Sequence, residues 1–388
     1  MNERTPLALK NLTHRPRRLL VAVGGVGFAV LLIFMELGFL AALLDSTTAV
    51  IRRIRADLFI LNRSTSALVA RARFPRQRIE QARAGGDVRV IPIHIENAVA
   101  VLRPARDKGY PIRVLAFDPR QPLFDLPGVE SAASELLGPD TAAYDTTSKA
   151  EYRFPGPTEP PGDFTGELSG RRIRLVGRFA LSTDFATTGT LIMSDQNFAR
   201  YFPWGAGGED PLSVVDIGAV QVGPGASVPE VRARLERLLP NDVKVLDKAE
   251  YERNERAFWL LNTPIGYIFV AGTIIGFVVG VIICYQIIYA SLDDHMGEFA
   301  TLKAIGYGRS YFVGLVACQS LYLSLFGFVP GALASMFLYA GIAKATGLMV
   351  VFRPWVAAVV LGSTLLMCTV SGILAMRRLL AADPASLF

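Results

Sequence analysis

The chain has 388 residues, of which 51% are hydrophobic and 19% charged, and its mean hydropathy is +0.36. That is too apolar for a soluble protein of this length, and the composition excludes a disordered, collagenous or disulfide-stapled chain. Lys+Arg 40 against Asp+Glu 34 gives a formal charge of +6 and a pI near 9.3, which in a soluble domain would point to nucleic acid.

The excess charge has a location. The first 18 residues carry Arg4, Lys10, Arg15, Arg17 and Arg18 against Glu3 alone. Residues 19–44 then form an apolar run interrupted only by Glu36. The run exceeds the roughly 20 residues needed to cross a hydrocarbon core and is longer than a signal-peptide core, so it reads as an uncleaved membrane anchor. Glu36 is the single acid in any apolar run. An intramembrane carboxylate is costly unless solvated or paired, so it marks either a side chain reaching the interface or a polar entry for substrate.

Residues 45–262 have a globular composition, with 29 Lys+Arg balancing 28 Asp+Glu. Short β-type runs lie at 57–61, 88–95, 98–102, 112–117, 173–179, 189–193 and 214–222, and helical patterns at 75–84, 195–202 and 228–239. This interleaving predicts an α+β domain with a mixed sheet, in one or two lobes. Residues 154–163 (FPGPTEPPGD) are expected to be a surface loop between lobes. The flanks, 45–56 and 248–261, are polar helix formers contiguous with apolar runs. They are expected to continue the membrane helices outward as a stalk, unless Pro264 interrupts the second.

Three further apolar runs, 264–289, 311–342 and 354–374, contain no Asp, Glu, Lys or Arg. They are apolar all round, as membrane helices are, whereas a soluble core helix shows one apolar stripe. Positive charge near the ends of spans stays in the cytoplasm. Both termini, residues 290–310 and the tail 375–388 with Arg377 and Arg378 are therefore expected inside. Residues 45–262 and the short loop 343–353 are then outside. In the second run Gly272, Gly276 and Gly280 recur at four-residue intervals on one face, which suits a close helix contact, either within the chain or in a homodimer. The inner loop alternates polar Asp294, Glu298 and Lys303 with apolar Met296, Phe299, Leu302 and Ile305, the pattern of a short helix lying on the membrane surface.

No chemistry stands out. The sequence has no GxxxxGK[ST] phosphate loop, no HExxH, no GxSxG and no CxxC. His14, His94 and His295 fall on opposite sides of the predicted membrane, and Cys284, Cys318 and Cys368 lie inside spans. No catalytic residues, metal site or cofactor are expected in this chain, nor any nucleic-acid partner.

Glu298 to Gly306 (EFATLKAIG), following the second span, resembles the signature of FtsX-like, MacB-type (type VII) ABC transporter permeases, and the span order is similar. Residues 7–46 and the final DPASLF (383–388) resemble the DevC subfamily, although Glu36 is acidic where that subfamily leads one to expect a neutral polar residue. The resemblance implies a MacB-like permease fold and a non-catalytic, homodimeric inner-membrane subunit of a tripartite exporter. ATP and Mg would be bound by a separate DevA-like ABC ATPase, with a DevB-like membrane-fusion adaptor and a TolC-like outer-membrane duct as further partners. Residues 294–306 would then be the coupling segment, with Asp294, Glu298, Phe299, Leu302, Lys303 and Gly306 at the ATPase contact. Residues 7–18 would form a basic helix on the inner membrane face. The stalk would carry motion to the outer domain, which is mechanotransmission. A lipoprotein-extracting permease of the LolC type or a cell-wall-hydrolase regulator of the FtsX type is the alternative within this fold. A membrane sensor is disfavoured by the short cytoplasmic segments.

Overall fold

A computed structural model of the chain describes residues 16–104, 108–156, 158–164, 166–203, 210–346, 348 and 350–381. The basic segment 7–15 and the DPASLF tail lie outside the described residues. Four helices cross the membrane: span one (Pro16–Thr47), span two (Pro264–Asp294), span three (Arg309–Thr346) and span four (Pro354–Ala381). Each runs beyond its apolar stretch at one or both ends, because flanking polar side chains can reach the interface while their backbone stays helical. Spans two and four, span one up to Ala42 and span three up to Ala343 belong to one compact unit, and Leu43–Thr263 with Lys344–Met349 to another.

The second unit is the expected α+β domain, lying in sequence between spans one and two. Its strands are β1 (Leu58–Asn62), β2 (Phe74–Pro75), β3 (Val88–Glu96), β4 (Val101–Pro104), β5 (Tyr110–Pro111), β6 (Arg113–Phe117), β7 (Thr141–Asp145), β8 (Gly166–Leu168), β9 (Arg171–Phe179), β10 (Thr190–Ser194), β11 (Val214–Val215), β12 (Ile217–Val222) and β13 (Val243–Asp247). Eleven form one mixed sheet in the order β13-β1-β12-β3-β6-β10-β7-β9-β8-β4-β5, and β11 pairs with β2. The pairs β6·β10 and β7·β9 are parallel. The sheet is buried on both faces at β1. Leu58 and Ile60 face a core shared with Ile79 and Leu235 of the helices Gln77–Ala84 and Val228–Leu238, whereas Phe59 and Leu61 face a second core with Ile91, Ile93 and Tyr251. That is the period-2 alternation of a strand read from both sides.

The run 214–222 is broken into β11 and β12 at Asp216. Its own N–H still donates to the Ile93 carbonyl at 3.1 Å, but its carboxylate accepts the Ile95 N–H at 2.8 Å and pairs with Arg71 Nε at 2.8 Å, so a side chain takes the place of a backbone acceptor there. Arg71 also donates to Asn97 Oδ1 and to the Ile95 carbonyl, and Arg73 Nε lies 3.5 Å from the same carboxylate, so one buried carboxylate and two guanidiniums pin the 63–73 segment to the sheet. The Pro-rich stretch 154–163 contains a 3-10 turn, Pro161–Asp163, and is tethered at its start. Phe154 stacks on Tyr152, and Tyr144 donates to the Pro155 carbonyl at 2.9 Å.

Candidate functional site

Spans one and two run antiparallel along a ladder of small and large residues. Added side-chain atoms at Gly280, Gly276 and Gly272 would meet Ala29, Ile33 and the Glu36 carboxylate respectively, and one turn further out Phe39 stacks on Phe269 at 5.8 Å. The glycine stripe is thus occupied from within the chain, by span one at Gly272 and Gly276 and by both span one and Met367 of span four at Gly280. Close approach of this kind, without side chains in the way, is how membrane helices gain van der Waals contact.

A second close contact joins spans one and three, and no reading of the sequence anticipated it. A Cβ at Gly331 would stand 2.7 Å from the Gly27 carbonyl oxygen, and one at Gly327 would overlap Val26. Gly327 and Gly331 form a GxxxG pair, which was the available signal. Towards the outer end Tyr339 donates to the Phe34 carbonyl, and Gly38 leaves room for its ring. Spans two and four meet at Cys284 and Cys368, whose Sγ atoms lie 3.5 Å apart, and at Ser371, which donates to the Val281 carbonyl at 2.7 Å. Glu36 is half-buried, and among the described residues it has no ion pair or hydrogen bond.

At the opposite end of the bundle Arg18 pairs with Asp294, Gln319 Nε2 donates to Ser291 Oγ at 2.7 Å, and His295 Nδ1 lies 2.7 Å from the Ser291 carbonyl. The inner segment folds there as a helix, Met296–Ala304, separated from span two by a turn at His295. Leu302 packs against the bundle core, and Glu298 is exposed. The side chains of Phe299 and Lys303 lie outside the described residues. Ile305 falls beyond the helix and is 71% exposed, so the apolar face expected to include it is shorter than the sequence pattern suggested. Gly306 has a specific task. Its φ of +104° places it in the region open to glycine, and the Tyr307 N–H donates to the Leu302 carbonyl at 3.1 Å, which closes the helix by a Schellman motif.

The flanks of the outer domain are not unbroken extensions of the spans. Span one stops at Thr47, where the hydroxyls of Ser46, Thr47 and Thr48 turn back onto carbonyls of residues 43–45. A short helix, Ala49–Arg53, follows, and Ile54 is extended, bridging to Phe124. The helix Lys248–Leu261 has the expected bounds, but Asn262 and Thr263 are not helical. Pro264 opens span two instead, because proline fits the first helical turn and disfavours helix in the residue before it. The two flanks clasp each other within the domain. Asp45 lies 3.4 Å from Arg52 and 3.7 Å from Arg256, while Lys248 Nζ donates to the carbonyls of Arg52 and Ile54.

One face of Lys248–Leu261 buries Tyr251, Glu255 and Trp259. The Glu255 carboxylate, 1% exposed, accepts the Leu68 N–H at 2.8 Å and the Trp259 Nε1–H at 2.9 Å, and burial pushes its pKa up to about 7. Nothing in the sequence marked Glu255, since an acid in a polar helix looks solvated. No group of His, Cys, Asp and Glu suited to a metal occurs among the described residues.

Residues 263–384 match the family model described as FtsX-like permease C-terminal. No curated protein matches the chain. Among solved structures, the periplasmic region of MacB from Actinobacillus actinomycetemcomitans aligns at 13% identity and TM-score 0.36, covering 52% of this chain and 94% of that one. The extracellular domain of the noncanonic ABC-type transporter YknZ from Gram-positive bacteria aligns at 14% and 0.33, covering 50% and 99%. The match covers spans two to four and the segment that carries Glu298 to Gly306.

Proposed function

We propose that the chain is the inner-membrane permease subunit of a DevC-type tripartite ABC exporter, without catalytic residues of its own. It works with a DevA-like ATPase, a DevB-like adaptor and a TolC-like duct, and acts as a homodimer. The match of residues 263–384 to the FtsX-like permease model supports the permease part of this reading, and the resemblance of residues 7–46 and 383–388 to the DevC subfamily suggests the exporter type. In it both termini and residues 290–310 are cytoplasmic and Leu43–Thr263 is periplasmic, the orientation favoured by the basic inner flanks.

The helix Met296–Ala304 receives the ATPase. Leu302 anchors it to the bundle, Glu298 is presented outward, and Asp294 ties its start to Arg18 of span one. A push on this helix therefore reaches spans one and two together. Each of these spans leads directly into one of the two flanks clasped through Asp45, Arg256 and Lys248, so the motion enters the outer domain at a single junction. Glu36 is assigned to a polar entry for substrate at the outer ends of spans one and two.

Reconstitution tests the reading. The purified chain alone should hydrolyse no ATP, and its cognate ATPase should gain activity on adding it. Glu298→Lys should reduce that gain by about tenfold, the effect of reversing one charge at a contact worth about 1.4 kcal/mol. Robust hydrolysis by the isolated chain would refute the assignment.

A further inference from the structure

A cavity of about 540 Å³ opens among spans one, two and three at their inner ends, a size typical of small-molecule sites. Its two ends differ in chemistry. One is formed by Arg17, Arg18, Asp294 and His295, with the Gln319–Ser291 hydrogen bond behind them; the other is apolar, formed by Val21, Ile287 and Leu323. A ligand that matches both has a polar head and a hydrocarbon tail. The head is anionic. Two guanidiniums face one carboxylate, Asp294 is taken up by Arg18, and among the described residues Arg17 holds no carboxylate. A guanidinium grips a phosphate through two parallel N–H donors.

The source of the ligand follows from the mouth. Val21 lines the cavity and is 74% exposed, on the apolar part of a membrane helix, so the cavity opens sideways to the acyl chains rather than only to water. Basic pockets between membrane helices on the cytoplasmic side are sites for anionic lipid head groups. We propose that this cavity binds an anionic phospholipid of the inner leaflet. Arg17 holds its phosphate beside the Arg18–Asp294 pair, and one acyl chain lies along Val21, Ile287 and Leu323. The lipid then wedges the junction from which the helix Met296–Ala304 departs. The leaflet assignment rests on the orientation proposed above.

Native mass spectrometry of the full chain, released from mixed micelles of phosphatidylglycerol and phosphatidylcholine, tests this directly. Wild type should retain phosphatidylglycerol under conditions that strip phosphatidylcholine. Arg17→Gln should weaken retention about tenfold, the scale of one hydrogen-bonded charge contact. Leu323→Trp, which fills the apolar end without changing charge, should abolish it, and so should Val21→Trp, which blocks the mouth from an exposed position where the fold is not at stake. Arg377→Gln, on span four, should change nothing. Retention undiminished in both tryptophan variants would overturn the proposal, because charge attraction at the surface would then explain the binding. Complete displacement by inorganic phosphate, or uptake only after deletion of residues 2–12, would overturn it too, the latter by giving the cavity to the chain's own N-terminal segment. The readout needs no ATPase. A chain that stimulates its ATPase but retains no lipid loses only this inference, whereas one that retains lipid without stimulation loses only the transporter reading.

Discussion

The carboxylate of Glu36 in span one lies against Gly272 of span two, at a point where any side chain on residue 272 would overlap it. The glycine makes the space, and the carboxylate occupies it. This rung is continuous with Ile33 on Gly276 and Ala29 on Gly280, so the half-buried acid packs within the contact of spans one and two.

Two glycine-to-alanine changes in the bundle should therefore differ in cost although each adds one methyl group. At residue 272 the methyl meets the end of a flexible side chain that can rotate away. At residue 331 it meets the Gly27 carbonyl oxygen and Val30 Cγ1, each at 2.7 Å, and the helices must separate. Gly331→Ala should destabilise by about 1–3 kcal/mol and Gly272→Ala by less than about 1 kcal/mol, the usual range for overpacking. Thermal melting in detergent separates them, and equal losses would contradict the packing described.

Two buried groups in the outer domain should give opposite pH dependences. Burial raises Glu255 from 4.5 to about 7, so between those values the folded state keeps a proton that the unfolded chain has released, and stability falls as pH rises. Burial, aided by Arg76 and Arg73 and opposed by Asp216, lowers His94 from 6.5 to about 4, so its contribution is lost as pH falls through that window. Each effect is about 3 kcal/mol at most. Between 4.5 and 6.5 they oppose each other. Glu255→Gln should leave a stability that rises with pH there, and His94→Phe one that falls. Denaturation followed by Trp259 emission, with Trp204 and Trp355 replaced by Phe, reads both slopes; unchanged slopes would refute the assignments.

Gly306→Val should fray the end of the inner helix. A β-branched residue at a φ of +104° is strained, by about 1–2 kcal/mol, and the Schellman closure is lost. The expected signature is reduced stimulation of the partner ATPase with the melting temperature of the bundle nearly unchanged. A large fall in melting temperature would show instead that this turn holds the bundle together.

Cys284 and Cys368, with sulfurs 3.5 Å apart, should be joined by a membrane-permeant oxidant such as iodine, linking spans two and four within one chain. Cys318 should remain free, because it belongs to neither position. Peptide mass mapping after oxidation checks this, and a Cys318-containing cross-link would place span three wrongly.

Much of the architecture was legible because it depends on sums over neighbouring residues. The four spans and the helix Lys248–Leu261 follow from local composition. Strands β7 and β8 escaped notice: TAAYD and GEL have too few β-branched or aromatic residues to signal a strand, and they form because their neighbours in the sheet supply hydrogen-bond partners. The strand β13, by contrast, has Val243 and Val245 alternating with polar residues, a strand pattern visible in the sequence. The unbroken stalk was a misreading of continuity. At the second flank the break falls at Pro264, the interruption that the sequence left open, because proline disfavours helix in the residue before it.

By itself the sequence determined four runs long and apolar enough to cross a membrane around one large, nearly neutral polar domain, with most of the excess positive charge in the short segments that flank those runs. Run length and charge count are properties of consecutive residues, and the hydrocarbon core measures both directly. Only the tertiary structure decided that the Gly272 stripe receives span one, that Gly331 touches Gly27, and that Glu255 is buried under the 63–72 loop. These pairs are separated by scores to hundreds of residues along the chain. Whether a glycine is a contact or a carboxylate is desolvated depends on which surface arrives opposite it, and that is settled when the helices and the sheet pack.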